Sequence, residues 1–119
     1  MGESNSYTLV TGRGNHTAGS ATFICGRYNV IEPMIGVDNP LKKTFVVGAG
    51  VGIEDDENTG NESQITRKNA FYVTHGGRAW VQQELEVDAA GKGVVLKSPD
   101  GSRWSITISN TGQLTTTKL

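Results

Sequence analysis

The chain has 119 residues, with 11 basic against 12 acidic side chains and a formal charge of −1. That balance lacks the basic excess of a nucleic-acid module, no apolar run approaches the ~20 residues that a membrane-spanning helix needs, and the single cysteine, Cys25, excludes an intramolecular disulfide. Hydrophobic residues make up 35 %, and the 16 glycines bring the apolar-plus-small share into the range of folded chains.

The opening residues, MGESNSYTLV, carry neither a basic n-region nor an apolar h-region, so no signal peptide is expected. Tyr7, Leu9 and Val10 begin a first strand. Gly12, Gly19 and Gly26 then recur every seven residues, each after a small residue (Thr11, Ala18, Cys25), and Asn15 and Asn29 follow the first and third of them. The repeating columns hold glycine, small and amide residues instead of the leucine or isoleucine of a coiled-coil seam. The period therefore predicts short strands joined by tight turns, two units to each coil of a thin solenoid, which cannot bury a core alone. Cys25 lies in the small-residue column and is read as a small buried hydrophobe. A nucleophile would need a paired base, and the two histidines, His16 and His75, sit in separate motifs.

Pro33 and Pro40 bracket a turn-rich segment that ends in Asp38-Asn39-Pro40. Thr44 to Val47 is β-branched and aromatic and predicts a buried strand. Gly48, Gly50 and Gly52 follow at alternate positions. A phosphate-binding fingerprint would open a helix, whereas here the chain runs into IEDDENTGNES, so the glycines are read as a strand-end turn before a solvated acidic loop. Glu54 to Glu57 do not have the spacing of a calcium loop.

Ala70 to Val73, Gly76-Gly77 and Ala79 to Val81 read as strand, turn and strand, with Phe71, Val73, Ala79 and Val81 on one face. Val81 to Val87 alternates Leu85 and Val87 with Glu84 and Glu86 and is expected to be a strand. Val94 to Lys97, then Ser98-Pro99-Asp100-Gly101, then Arg103 to Ser109, then Asn110-Thr111-Gly112, then Gln113 to Leu119 form a meander of strands and turns. In its middle strand Trp104, Ile106 and Ile108 alternate with polar residues. No helix of ten or more residues is expected, and the fold class is all-β.

The residues GNHTAGSATFICGRYN resemble the glycine-punctuated repeats of trimeric adhesin heads and phage tail appendages. Gly26, Tyr28, Asn29, Phe45 to Gly48, Gly50, Arg67, Asn69 to Phe71, Val73 and Gly77 resemble the segment that follows such repeats in phage tail and neck-appendage proteins. The last segment, GVVLKSPDGSRWSITISNTGQLTTTKL, is similar to the closing hairpins of phage minor tail and baseplate proteins. The acidic stretch between Val51 and Ile65 is longer than in that family, and the repeat array is short.

The resemblance implies an intertwined homotrimer at the tip of a fibre that ends at Leu119. Residues 1–31 would be a β-roll or β-helix shaft stub and residues 32–119 a β-hairpin tip. It implies a structural role in the virion, as part of a tail fibre or baseplate made in the host cytoplasm. The expected partners are other tail proteins and a bacterial surface glycan or protein receptor, with no nucleic acid and no membrane insertion. Other readings are a trimerisation chaperone or self-processing domain, for which no cleavage residues can be placed, and a polysaccharide-degrading tail enzyme.

No catalytic residues, cofactor or metal are expected, although three copies of one histidine around a trimer axis would be a way to hold an ion. The residues proposed to meet a ligand are Trp80, Arg78, Tyr72 and His75, because sugar faces stack on aromatic rings while arginine bonds hydroxyls. A structural role in the trimer core stays open for Trp80 and is favoured for Trp104. Glu84 and Glu86, on one strand face, would lie about 7 Å apart, which is near glycosidase spacings.

Overall fold

The computed structural model describes residues 8–17, 19, 21–33, 39–52 and 64–119. Tyr7, Ala18, Asp38 and the acidic residues 54–57, all singled out above, lie outside them. The fold is all-β, with eight strands in two sheets among the described residues. The chain divides into two compact units, Met1–Glu84 and Leu85–Leu119. The boundary expected after residue 31 falls inside the first of these units.

That sheet contains β1 (Leu9–Val10), β2 (Phe23–Arg27), β3 (Lys43–Ala49), β4 (Asn69–Thr74) and β5 (Ala79–Val81), side by side in chain order. The first three are parallel. Leu9 pairs with Phe23 and Val10 with Ile24, a step of two seven-residue units. Phe23 to Arg27 then pair with Phe45 to Ala49. The glycine period therefore sets the register: the unit around Gly12 lies beside the unit around Gly26, and Gly26 pairs with Gly48. At Gly26 the backbone is left-handed, with φ +88°, and a β-carbon there would stand 2.2 Å from the Gly48 carbonyl oxygen. Glycine meets both conditions without strain.

The asparagines of the same repeat bind neighbouring coils together. The Asn15 amide donates to the carbonyls of Thr11 and Gly26, and its Oδ1 accepts from the Asn29 N–H. Asn29, 2 % exposed, accepts from the His16 N–H and donates to the carbonyls of His16 and Val30. Asn69 continues the column, its Oδ1 accepting from the Val30 N–H at 3.0 Å. Backbone groups that a thin coil leaves unpaired are thus satisfied by side-chain amides.

Tyr28, next in line, is 1 % exposed and takes a left-handed φ of +44°. Its ring lies where β-carbons on Gly14 and Gly52 would collide with it, at 2.3 and 2.8 Å, and its own β-carbon crowds Gly50. The alternate glycines after β3 are therefore a slot for an aromatic ring. The strand-end turn expected at this point is only partly present, because Val51 continues in an isolated bridge to Thr66.

From β3 onward the sheet is antiparallel, with Val46 opposite Tyr72, Val47 opposite Phe71 and Tyr72 opposite Trp80. The β4–β5 turn is closed by Gly77 N–H to Thr74 carbonyl and Thr74 N–H to Arg78 carbonyl, both 2.9 Å, with Gly77 at φ +85°. The hairpin expected at Gly76-Gly77 is present as a three-residue loop with a glycine bulge, in which Gly77 alone takes the positive φ. The strand expected over residues 81–87 is not formed beyond Val81. Its pairing with β4 ends at the bond from Gln82 N–H to the Ala70 carbonyl, and the backbone before Asn69 is bonded elsewhere, Lys68 to Tyr28 and Ala49 and Thr66 to Val51.

The second unit is the meander that the turn residues predict: β6 (Val94–Lys97), β7 (Arg103–Ile108) and β8 (Leu114–Lys118), all antiparallel. Both hairpins use the same loop form as β4–β5, with Gly101 and Gly112 in the bulge position. Asp100 accepts from Ser98 Oγ at 2.6 Å and the Ser102 N–H at 2.9 Å, and these bonds hold its carboxyl below the usual range.

Candidate functional site: two faces of the first sheet

The register sorts the first sheet's side chains into two faces. One carries Leu9, Phe23, Cys25, Phe45, Val47, Phe71, Val73, Ala79 and Val81. All nine are apolar. Phe23 stacks on Phe45 at 5.4 Å, and Phe45 meets Phe71 edge-on at 6.1 Å. None of the nine is buried, and Leu9 is 54 % exposed. The expectation that Phe71, Val73, Ala79 and Val81 share a face holds, but the face extends across all five strands. Cys25 lies on it half-buried, not in a closed interior.

The opposite face carries Ile24 and Val46, 2 and 3 % exposed, which with Tyr28 are the buried apolar residues among those described. The unit thus buries the smaller set of its apolar side chains and leaves the larger set open. The second unit shows the same imbalance. Val94, Leu96, Trp104, Ile106, Ile108 and Leu114 share one face of its sheet by register, and no residue of that unit is buried. Trp104 donates its indole N–H to Ser98 Oγ at 3.3 Å, so its polar atom is satisfied locally.

Of the residues proposed to meet a ligand, the structure brings Tyr72 and Trp80 together. They are cross-strand partners whose rings stack with centroids 5.1 Å apart and planes 22° apart. They lie on the face that also carries Ile24 and Val46. The Lys43 ammonium stands 4.7 Å from the Tyr72 ring centre and pairs with Glu32. Glu32 and Lys43 also line a small hollow with His16, Asn29 and Val46. Nothing in the sequence marks Glu32 and Lys43, because the segment joining them has no periodicity to align them. Arg78 is exposed and immediately precedes β5, with its backbone paired to Thr74. His75 is exposed in the turn, its backbone N–H held by the Lys42 carbonyl at 2.7 Å.

Compared with family models, curated proteins and solved structures, the chain matches none.

The remaining sequence candidates are not gathered. Among the described residues no three or more His, Cys, Asp or Glu side chains cluster as metal ligands would. Glu84 and Glu86 are exposed and outside any strand, so the carboxylate spacing drawn from strand geometry does not apply to them.

One buried polar group was not anticipated. Lys42 is 1 % exposed, its Nζ has no hydrogen-bond partner, and burial lowers its pKa from 10.5. In the sequence Lys42-Lys43 reads as a solvated basic pair. The structure separates them, sending one inward and the other across the Tyr72 ring.

Proposed function

We propose that this chain is a homotrimeric fibre-tip domain of the bacteriophage tail type, which holds three copies in register and contributes to attachment at a bacterial surface. The observation that carries the reading is the nine-residue apolar face of the first sheet. An open sheet face of this composition invites association or aggregation. Covering it with the same face of further copies removes that liability and completes a core that one chain lacks. The second unit supports the same reading, since a three-stranded sheet of 35 residues with nothing buried needs a partner for its apolar face.

The parallel strands, β1 and β2 stepped by fourteen residues and β2 and β3 by twenty-two, are bound by glycine contacts and asparagine amides and suit the base of such a tip. The count of three copies rests on the resemblance of residues 14–29 and the following segments to trimeric tail appendages. Three copies of a weak surface contact on one rigid body raise avidity far above that of a single contact.

Light scattering on the purified chain tests the assembly. The expected molar mass is about 38 kDa, three times the 12.7 kDa chain. A stable monomer at 12.7 kDa overturns the reading.

A further inference from the structure

We propose that the outer face of the Trp80 indole is a carbohydrate-stacking site, with Arg78 as its hydrogen-bonding neighbour. The inference rests on the surface-attachment reading above and assigns that role to specific atoms.

Three observations carry it. First, β5 is the edge of its sheet among the described residues, so Tyr72 of β4 stacks on one side of the indole while no described strand pairs beyond it. Trp80 keeps 36 % of its surface exposed there. A large aromatic on a sheet edge is a feature that soluble proteins otherwise blunt with charge or proline.

Second, the indole is braced from behind. Trp80 stacks on Tyr72, the ammonium of Lys43 caps the Tyr72 ring, and Glu32 holds Lys43. Glu32, Lys43, Tyr72 and Trp80 thus form one connected row, and a ligand meeting the last ring orders little further side-chain freedom.

Third, the row lies on the face opposite Leu9, Phe23, Phe45 and Phe71. Covering the apolar face with other copies leaves Trp80 turned away from the contact.

The chemistry that fits is a pyranose ring. Its axial C–H groups form an apolar patch that packs on an indole face, while its hydroxyl or carboxylate oxygens need donors at the rim. Arg78 supplies five such donors in a planar fork.

The test is binding of the fluorescently labelled full chain to an array of immobilised bacterial surface polysaccharides, with molar mass measured on the same samples. Wild type is expected to be retained on at least one polysaccharide. At equal trimer mass, Trp80→Ala should lose about tenfold or more of that retention, because three weakened sites compound. Trp80→Phe, which keeps a stacking ring, and Arg78→Gln should lose less. A trimeric Trp80→Ala that binds like wild type, or a trimeric wild type retained on no polysaccharide, overturns the site. A monomeric wild type counts instead against the assembly. If Trp80→Ala fails to assemble, the Arg78→Gln and Trp80→Phe pair decides: retention unchanged in both overturns the proposal.

Discussion

Gly26 packs directly against Gly48: a β-carbon at Gly26 would fall 2.2 Å from the Gly48 carbonyl oxygen and 3.0 Å from its amide nitrogen. Both obstructing atoms are backbone, so neither can swing aside. Gly26→Ala also incurs a left-handed backbone penalty of about 1–2 kcal/mol. The expected outcome is a loss of about 3 kcal/mol or more, seen as a large fall in the urea midpoint. Gly77→Ala is the comparison, since it is also left-handed at φ +85° but has open space at its β-carbon. It should cost only the backbone penalty of about 1–2 kcal/mol.

Asn29 holds the amide column between coils. Asn29→Leu leaves the His16 N–H and the His16 and Val30 carbonyls without their partner. These bonds are part-buried, and each one lost costs about 0.5–1.5 kcal/mol. The variant should unfold at much lower denaturant, and amide hydrogen exchange should accelerate first at residue 16.

Lys42 sets a pH dependence. Its folded pKa is lowered by burial, so between that value and 10.5 the unfolded chain holds a proton that the folded chain has given up. Stability therefore rises with pH across that window. Lys42→Met should be more stable than wild type near neutral pH and should lack the part of the rise due to this group. Denaturation midpoints of both proteins at several pH values check it. Parallel curves would show that Lys42 does not titrate as its burial implies.

Cys25 reports on the apolar face. It is the chain's one thiol and lies half-buried between Phe23 and the Val47 column. In the assembled protein its alkylation by N-ethylmaleimide should be slow, and dilution or mild denaturant that lowers the molar mass should speed it. Rapid alkylation at full trimer mass would place the contact elsewhere.

Val81 tests the same face from its edge. It is 37 % exposed on β5, so Val81→Lys puts the charge in solvent in a single chain but inside the contact in an assembly. The expected result is a shift of molar mass toward 12.7 kDa while the β-sheet circular dichroism persists. An unchanged mass would exclude this face from the contact.

Much of the fold is legible in the sequence because its signals are local. Turn glycines at 77, 101 and 112 place three hairpins, since a positive φ in a short loop selects glycine before any tertiary contact forms. The alternation of Trp104, Ile106 and Ile108 places β7 in the same way. Residues 82–87 show the limit. Their alternation is that of a strand, yet a strand exists only where another backbone supplies hydrogen bonds, and the pairing with β4 ends at the bond from Gln82 to Ala70. The ligand candidates divide likewise. Tyr72 and Trp80 are brought together by a register that the hairpin already implies, while Glu32 and Lys43 join them through a connection that leaves no pattern in the chain.

The seven-residue glycine period and the turn residues suffice to predict an all-β chain with a short repeating element, because backbone conformation at glycine and alternation along a strand are properties of neighbouring residues. Three other features were decided only when distant segments met. Gly50 and Gly52 make room for Tyr28, Lys42 turns inward while Lys43 turns out, and the apolar side chains of five strands collect on the face that the chain leaves uncovered. Each depends on which segment lies beside which, a choice made by packing and register that no local pattern encodes.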